Sequence, residues 1–291
     1  MKKNKIILVG TSPIVEYHVK ALKKADFEII AVASSNTNSA SHKIFAKKNI
    51  IKKSYSDWKE MMNKEKYDGI VIATRTESTI EILEYAIKQN IPILVEKPIS
   101  FNSKDIKKII SKSHKMIMVG YNRRFYKTIN SVKNLISEEE NPILASMITP
   151  ELSNMKDFFN NTSHSLDILR YIFGEIKLTY VKKLIINNVQ KGFVATFSDN
   201  KKDIIQFIAN WDASDNFSLS VFQNTKKIQL KPYEELSIYN GIDIIQPTNI
   251  NPIRQYVPKL VEKISLEPVD KYIKPGFYQQ SCTFLELIKN K

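Results

Sequence analysis

One lysine stands between an apolar run and a proline, where a solvated surface lysine is not expected. Residues 91–95 form a short apolar run with the pattern of a buried strand, and Glu96, Lys97 and Pro98 follow it directly. In open parallel sheets ligands bind beyond the carboxyl ends of the strands, and the fixed φ of proline restricts the turn that presents the lysine. An ammonium group there can donate a proton or stabilise developing negative charge. We therefore predict that Lys97 is a functional residue.

A second candidate segment follows the first apolar run of the chain. Gly10 lies where dinucleotide-binding folds carry their glycine-rich loop, but Ser12 and Val15 occupy the second and third glycine positions of that motif. Free N–H groups at the start of the following helix attract phosphate, and the hydroxyls of Thr11 and Ser12 can donate hydrogen bonds as well. From this segment alone, a phosphate site and an ordinary strand-to-helix turn are equal alternatives.

The end of the second strand decides which dinucleotide is favoured. Ala33 is followed by Ser34, Ser35 and Asn36, so the segment carries no carboxylate. A carboxylate there would bind the ribose hydroxyls of NAD, and its charge would repel the 2′-phosphate of NADP. The neutral segment permits NADP, although it carries no arginine to hold the phosphate. We expect NAD or NADP as the cofactor and favour NADP.

Strand and helix patterns alternate over the first 120 residues. Short apolar runs separated by amphipathic helical stretches indicate a parallel sheet with helices on both faces. The predicted strands are Lys5 to Gly10, Glu28 to Ala33, Asp68 to Ala73, Ile91 to Val95 and Met116 to Gly120. The fold class is therefore α/β, with an N-terminal doubly wound parallel sheet of the Rossmann type.

The pattern changes after residue 120. Several apolar runs between residues 178 and 239 are joined by short turn-like segments, which indicates a mainly antiparallel open sheet. Helices are predicted at Thr128 to Glu139, Ser163 to Phe173, Pro252 to Ile264 and Phe277 to Ile288. We expect a dinucleotide-binding domain over residues 1–120. An α+β domain for substrate binding and oligomerisation would cover residues 121–291.

Composition excludes several classes of protein. The net charge is +14 over 291 residues, but the lysines are scattered in pairs and form no aromatic-interleaved groove, so we expect no nucleic-acid binding. The positive field favours anionic ligands such as nucleotides and sugar phosphates. No apolar run is long enough to cross a bilayer, and the start of the chain lacks the features of a signal peptide. Cys282 is the single cysteine, which indicates a reducing compartment. We predict a cytoplasmic protein without a metal.

Several of these segments together resemble the Gfo/Idh/MocA oxidoreductase family, most of whose members use a nicotinamide cofactor to oxidise or reduce sugars and cyclitols. The resemblance extends over nearly the whole chain. It is carried by Val9-Gly10 with His18, Ala21 and Leu22, by Ala73-Thr74, by Val95-Glu96-Lys97-Pro98, by the run from Val119 to Phe125, and by His164, Asp167 and Gly174. The E-K-P and N-R-R-F segments at this spacing are the most specific part.

The resemblance implies roles for individual residues. Lys97 would act near the reacting hydroxyl or carbonyl, and His164 would be the second proton-handling group, with Asn160 beside it. The implied cofactor-binding residues are Gly10, Thr11, Ser12, Pro13, Ile14, Ser34, Ser35, Ala73, Thr74, Arg75, Glu96, Lys97 and Asn122. The implied substrate-binding residues are Lys97, Arg124, Asn160, Asn161 and His164.

The chain departs from the family pattern near His164. Many dehydrogenases of the family have an aspartate four residues before this histidine, where the chain has Asn160. A carboxylate can accept a proton, whereas an amide only forms hydrogen bonds. Thr162 or Ser163 could instead cap the helix that carries His164. Either the remaining groups suffice, or the chemistry differs, or catalysis has been lost.

The other histidines are expected to have no chemical role. We predict that His18 packs a helix and that His42 and His114, which lie in lysine-rich stretches, are solvated.

Two functions follow as expectations. The favoured one is an oxidoreductase of the EC 1.1.1.- class that transfers a hydride between NAD(P) and a hydroxyl or carbonyl carbon of a sugar or nucleotide-sugar. Lys97 and His164 would handle the proton, and the chain would form a homodimer or homotetramer through its C-terminal sheet. The alternative is a catalytically silent relative that binds a nucleotide or sugar as a regulatory or assembly subunit.

Overall fold

The chain folds into two compact units. The computed structural model describes residues 3–112, 116–137, 142–151, 158–267 and 269–290. One unit comprises Met1–Phe125 with Pro268–Lys291, and the other comprises Tyr126–Glu267. In the described part of the chain, every helix is too short or too polar to span a bilayer.

The first unit is built on a six-stranded sheet in which every pairing is parallel. Its strands are β1 Lys5–Val9, β2 Glu28–Ala33, β3 Lys53–Tyr55, β4 Gly69–Ile72, β5 Ile93–Val95 and β6 Ile117–Val119. Its first five helices are α1 Pro13–Lys24, α2 Ser41–Asn49, α3 Trp58–Lys64, α4 Thr76–Ile87 and α5 Ser103–Lys112. The strand order is β3-β2-β1-β4-β5-β6, so the direction of progression reverses between β1 and β4. This is the doubly wound Rossmann-type sheet that the sequence predicts.

Buried apolar strands explain why this sheet is central to its unit. Every residue of β4 is buried, and so are four of the five residues of β1. Ile6 and Leu8 belong to one hydrophobic core, and Ile7 and Val9 belong to a second core on the opposite face. Strands that are apolar on both faces must be covered on both faces, which is the arrangement that parallel sheets require.

The short strand β3 and helix α3 were not predicted from the sequence. β3 has only three residues, Lys53, Ser54 and Tyr55, and none of them is fully buried. It is an edge strand that pairs only with β2 in the described structure. α3 begins after Asp57, whose carboxylate accepts a hydrogen bond from the backbone N–H of Lys59. Pairing, rather than local apolar pattern, defines this edge.

The last helix of the chain, α8 Phe277–Lys289, belongs to the first unit. Phe284 and Ile288 are buried in the same core as Ile6 and Leu8. Gly69 faces this helix closely, since a Cβ at that position would lie 2.7 Å from Ile288 Cδ1. The helix itself was predicted correctly. The predicted division at residue 120 differs from the observed one because the chain returns to the first unit after residue 267.

The second unit is built on an eight-stranded, mainly antiparallel sheet. Its strands are β7 Leu144–Glu151, β8 Lys177–Ile186, β9 Val189–Ser198, β10 Ile204–Trp211, β11 Ser218–Gln223, β12 Lys226–Leu230, β13 Glu235–Ile245 and β14 Gln255–Ser265. The order is β14-β13-β12-β11-β7-β10-β9-β8, and β7 with β10 is the parallel pair. Helices α6 Lys127–Ser137 and α7 Ser163–Phe173 pack with β7 and β10 in one core. The predicted end of α6 at Glu139 lies outside the described residues.

One predicted helix is wrong. Residues 252–264 form part of β14 and the segment before it, and β14 pairs antiparallel with β13. The apolar residues Ile253, Tyr256, Val257 and Leu260 recur every three or four residues, which imitates a helical face. Pro258 lies within the run, where a helix would lose a backbone hydrogen bond. Long-range pairing therefore overrides the local pattern.

Candidate active site

In the first unit, a polar pocket of about 400 Å³ lies at the carboxyl ends of β1, β2 and β4. We call it the serine pocket. It is lined by Gly10, Thr11, Ser12, Ser34, Ser35, Asn36, Ser39, Ser41, Ala73, Thr74, Arg75 and Ser78. The volume is within the ~300–1,000 Å³ that is usual for ligand sites. The pocket lies at the point where the strand order reverses, which is the general ligand position in doubly wound sheets.

Backbone hydrogen bonds beyond the strand ends fix the loops of this pocket. Gly10 N donates to Ala33 O at 2.8 Å, and Ala73 N donates to Val9 O at 2.8 Å. Gly10 has a φ of +119°, and a Cβ at this position would lie 2.0 Å from Ala73 O. Only glycine therefore fits where the first and fourth strands come closest. The single retained glycine of the phosphate loop is the one that the backbone requires.

Hydroxyl groups dominate the serine pocket. Ser34 Oγ donates to Asn36 O at 2.7 Å, and Thr11 Oγ1 lies 2.8 Å from Ser41 Oγ. Among the described residues that line the pocket, Arg75 alone carries a charge. Helix α1 begins directly after Ser12, so its first N–H groups lie beside the pocket. A pocket that offers hydrogen-bond donors and no carboxylate suits an anionic ligand such as a phosphate.

The structure brings most of the predicted cofactor residues together. Eight of them line the serine pocket: Gly10, Thr11, Ser12, Ser34, Ser35, Ala73, Thr74 and Arg75. Pro13 and Ile14 are the first two residues of α1, and Ile14 packs against the hydrophobic core. Four further residues line the pocket without a role predicted from the sequence: Asn36, Ser39, Ser41 and Ser78. The run of small polar residues from 34 to 41 was the available signal.

The Glu96-Lys97-Pro98 turn follows β5 at the same edge of the sheet. Glu96 N donates to Ile72 O at 2.8 Å, which continues the β4–β5 pairing, and the Lys97–Pro98 peptide bond is cis. The Glu96 carboxylate is largely buried, with its Oε1 2.7 Å from His18 Nε2. Its Oε2 accepts a hydrogen bond from Lys97 N at 3.2 Å. These contacts are within the protein and do not direct the carboxylate into the serine pocket.

The histidines differ from their predicted environments. His18 is fully buried on α1, as packing requires, but it also contacts Glu96. His42 is buried on α2, so the prediction that it is solvated is wrong. Burial lowers the pKa of His42, and the charge of Lys43 adds to this effect. His114 lies outside the described residues.

Two residues of the N-R-R-F segment have separate positions in the first unit. Asn122 is buried, and its Nδ2 donates to Pro275 O at 2.9 Å. Arg124 lies over the ring of Tyr121 at 5.8 Å and lines a second cavity of about 460 Å³ together with Phe125. Among the described residues, none lines both this second cavity and the serine pocket.

In the second unit, a buried carboxylate holds the segment before His164. Glu151 ends β7, and its Oε2 accepts hydrogen bonds from Thr162 N at 2.8 Å and Thr162 Oγ1 at 3.1 Å. Its Oε1 accepts from Asn161 Nδ2 at 2.8 Å. Of the two residues that could have capped the helix, Thr162 occupies the N-cap position but makes no side-chain cap bond, and Ser163 Oγ donates to Phe159 O. Sequence analysis gave Glu151 no role.

His164 lies in the first turn of α7 and is buried. A π-helical segment, Phe158–Thr162, precedes α7, and such segments are frequent at functional sites. Asn160 belongs to this segment, and its side chain lies outside what the structure describes. In the described part of the chain, no three His, Cys, Asp or Glu side chains are grouped to hold a metal ion.

The serine pocket fits part of a dinucleotide. It offers N–H groups at the start of α1, hydroxyl donors, one arginine and a backbone that Gly10 holds close to Ala73. Comparison with known proteins agrees. Residues 4–121 match the model of the oxidoreductase family with an NAD-binding Rossmann fold.

Residues 4–121 therefore resemble the NAD-binding domain of the Gfo/Idh/MocA oxidoreductases. Among curated relatives, the myo-inositol 2-dehydrogenase of Thermotoga maritima is 24% identical over 185 residues, which is 59% of this chain and 55% of that protein. The chain spans about half the length of the curated relatives that it matches. The family model therefore matches the Rossmann-type region, and the identity to the curated relatives is low.

Solved structures of a dehydrogenase and an oxidoreductase share the fold of this chain. A dehydrogenase from Clostridium difficile has a TM-score of 0.76 and 17% identity, with 99% of this chain and 92% of that chain covered. An oxidoreductase from Agrobacterium radiobacter, in complex with NAD⁺, L-tartaric acid and magnesium, has a TM-score of 0.76 and 14% identity, with 98% and 86% covered. The predicted fold class is confirmed for both units.

Proposed function

We propose that the protein is an NAD(P)-dependent oxidoreductase that transfers a hydride to or from a hydroxyl-bearing carbon of a sugar, nucleotide-sugar or cyclitol. The observation that supports this most strongly is the serine pocket of a Gfo/Idh/MocA Rossmann fold, with Lys97 following β5 at the same edge of the sheet. The Thermotoga maritima relative is a myo-inositol 2-dehydrogenase. Its name supports a polyhydroxylated substrate for this chain.

Lys97 and His164 are the groups that we propose to handle the proton. When bound, the nicotinamide ring supplies or accepts the hydride. During oxidation, the amine form of Lys97 would accept the hydroxyl proton as the carbonyl forms; during reduction, its ammonium would donate to the carbonyl oxygen and stabilise the developing negative charge. The His164 imidazole would accept that proton or return it. Asn160 would hydrogen-bond to the substrate, because an amide cannot replace a proton-accepting carboxylate.

NADP is the cofactor that we favour over NAD. Ser34, Ser35 and Asn36 line the pocket at the end of β2, and no described lining residue is a carboxylate. Arg75 supplies a positive charge at the start of α4. A site without an acidic residue does not repel the 2′-phosphate that distinguishes NADP from NAD.

Turnover of a panel of polyols, cyclitols, sugars and nucleotide-sugars tests the proposal. We expect the absorbance of reduced nicotinamide to change with at least one panel member. The substitution Lys97→Met should lower kcat/KM about 10²- to 10⁴-fold. Lys104→Met, which removes an exposed lysine from α5, is the matched control and should leave the rate unchanged. Cofactor binding without turnover by the wild type would favour the catalytically silent alternative, and a fully active Lys97→Met variant would refute the role of Lys97.

We also propose that the protein is cytoplasmic and assembles into a homodimer or homotetramer through the sheet of the second unit. Every residue of β8 is exposed, including Leu178, Tyr180 and Val181. Leu260 and Val261 of β14 are exposed as well. Exposed apolar surface of this extent marks interaction sites. Light scattering should give a dimer or tetramer mass for the wild type and a smaller mass for Val261→Lys; a monomeric wild type would contradict the proposal.

A further inference from the structure

A histidine inside the first unit holds the residue next to Lys97. His18 Nε2 lies 2.7 Å from Glu96 Oε1, and the two residues are 78 positions apart in the sequence. Only 1% of the His18 side chain and 11% of the Glu96 side chain are exposed. The other ring nitrogen, His18 Nδ1, is buried and has no hydrogen-bond partner in the described structure. A proton on Nδ1 would be a buried unpaired donor, so the geometry favours a proton on Nε2 that is donated to the carboxylate.

The rest of the Glu96 carboxylate is fixed as well. Its Oε2 accepts a hydrogen bond from the backbone N–H of Lys97 at 3.2 Å. Gly120, at the end of β6, packs on the same group, since a Cβ there would lie 2.8 Å from Oε1 and 2.9 Å from Cδ. Gly120 N in turn donates to Val95 O at 2.8 Å. Helix α1 and the ends of β5 and β6 therefore define one position for this carboxylate.

The first residue of α8 contacts the same histidine. Phe277 packs its ring against His18 in a T-shaped arrangement, with the centroids 4.9 Å apart. Lys274 Nζ lies 5.8 Å from the centroid of the Phe277 ring. Burial lowers the pKa of Lys274, the charge of Arg123 lowers it further, and the charge of Glu96 opposes both effects. Residues of the C-terminal return of the chain therefore pack against His18 and interact electrostatically with Glu96.

We propose that His18 is a positioning residue for Lys97 and acts through Glu96. The proposal rests on the proposed catalytic function of Lys97. Glu96 is the residue that immediately precedes Lys97, and it bonds to the Lys97 backbone while His18 fixes its carboxylate. Without the imidazole donor the carboxylate can turn, and the lysine loses a fixed backbone position. Small displacements of a reacting group reduce rates strongly, by about 10²-fold for 1 Å.

Substitutions at both ends of the hydrogen bond test the proposal. His18→Leu removes the donor and keeps the apolar volume, whereas His18→Gln keeps an N–H near the position of the lost Nε2 donor. We expect His18→Leu to lower kcat about 10- to 100-fold with little change in cofactor Kd, and His18→Gln to recover part of the rate. Glu96→Gln should lower kcat similarly, and His18→Leu should have little additional effect in that background.

A second buried histidine provides the matched control. His42 is buried on α2 of the same unit, and its Nδ1 likewise has no hydrogen-bond partner in the described structure. His42→Leu should change the thermal stability as much as His18→Leu does and leave kcat within about twofold. If His18→Leu also keeps its kcat and changes only stability, His18 is a packing residue and the proposal is wrong.

A measurement without substrate or cofactor separates this proposal from the proposed function. Reductive ¹³C-methylation labels the lysines, and the Lys97 resonance is identified by its loss in Lys97→Arg. We expect His18→Leu and Glu96→Gln to shift this resonance, and His42→Leu to leave it in place. Should the wild type turn over no substrate, the proposed function fails, and the resonance alone decides the positioning. If the Lys97 resonance does not shift in His18→Leu, the proposed positioning role of His18 is wrong.

Discussion

Glu96 in the first unit and Glu151 in the second are both buried carboxylates that precede a proposed catalytic residue, but their partners differ. Glu96 bonds to an imidazole 78 positions away and to the N–H of its own neighbour. Glu151 accepts three hydrogen bonds from Asn161 and Thr162, ten and eleven positions later in the chain. The first carboxylate joins distant elements at the end of a strand. The second ties β7 to the segment that begins α7.

This difference has an energetic consequence. Three donors would be left without their acceptor if the Glu151 carboxylate were removed, and each unsatisfied buried donor costs about 1–3 kcal/mol. In the described structure Glu96 has two hydrogen-bond partners, His18 and the backbone N–H of Lys97, so the loss of its charge affects fewer donors. The loss does, however, weaken the contact between Glu96 and Lys97. We therefore expect Glu151 to contribute mainly to stability and Glu96 mainly to rate.

The largest expected effect tests whether Lys97 and His164 act on one substrate. Lys97→Met and His164→Gln should each lower kcat/KM about 10²- to 10⁴-fold, because each removes a proposed proton-handling group. The double variant should be little slower than the worse single variant, since groups that act as a unit are not additive. Steady-state kinetics of the three variants provides the measurement. If the two effects multiply, the residues act independently.

The next effect compares the two carboxylates directly. Glu151→Ala should lower the free energy of unfolding by about 3 kcal/mol or more, because two buried donors of Thr162 and the half-buried Nδ2 of Asn161 lose their acceptor. Glu151→Gln keeps one acceptor oxygen and should cost less. Urea denaturation gives the free energies, and Glu96→Gln serves as the comparison. We expect Glu151 to contribute mainly to stability and Glu96 mainly to rate. This expectation is wrong if Glu96→Gln destabilises the protein more than Glu151→Gln does and leaves kcat unchanged.

A smaller effect concerns the cofactor. Ser35→Asp places a carboxylate in the serine pocket at the end of β2, where it should repel a 2′-phosphate. We expect the Kd of NADPH to rise about tenfold, or 1.4 kcal/mol, and the Kd of NADH to stay the same or fall. Ser54→Asp, on the edge strand β3 outside the pocket, is the control. A variant that weakens both cofactors equally would contradict the preference for NADP.

The smallest effect involves a third buried carboxylate, Asp203, which has an acid rather than a histidine beside it. Burial raises the pKa of Asp203, and the neighbouring Asp199 raises it further, while the backbone N–H of Ile143 opposes both. A raised folded-state pKa means that the charged form is penalised above that pKa and that the penalty disappears as pH falls through it. Asp203→Asn should therefore raise the Tm slightly at neutral pH, with the gain shrinking in acid. A gain that grows in acid would contradict this sign.

Local patterns predicted those features whose causes are local. The apolar strands of the parallel sheet, the helix at Phe277 and the Glu96-Lys97-Pro98 turn were foreseen because burial and turn chemistry are written in adjacent residues. Gly10 was recognised by its place in a motif. The reason that it must be glycine, which is the approach of Ala73 O, is visible only in the structure.

Features that depend on distant partners were missed. The His18–Glu96 bond joins residues 78 positions apart, and the Asn122–Pro275 bond spans 153 positions. β14 has the apolar spacing of a helix, but pairing with β13 determines its conformation. Glu151 lies in no motif, and its role follows from the backbone of Thr162 reaching its carboxylate. None of these contacts leaves a periodic or adjacent signal in the sequence.

Calorimetric titration of NADPH and NADH into the wild-type chain and into Gly10→Val tests the central claim most directly. The claim predicts one cofactor bound per wild-type chain, with a Kd within the range of about 1 µM to 1 mM that is usual for enzyme ligands. Gly10→Val, whose Cβ would collide with Ala73 O, should bind neither cofactor. A wild-type chain that binds neither NADPH nor NADH would contradict the account.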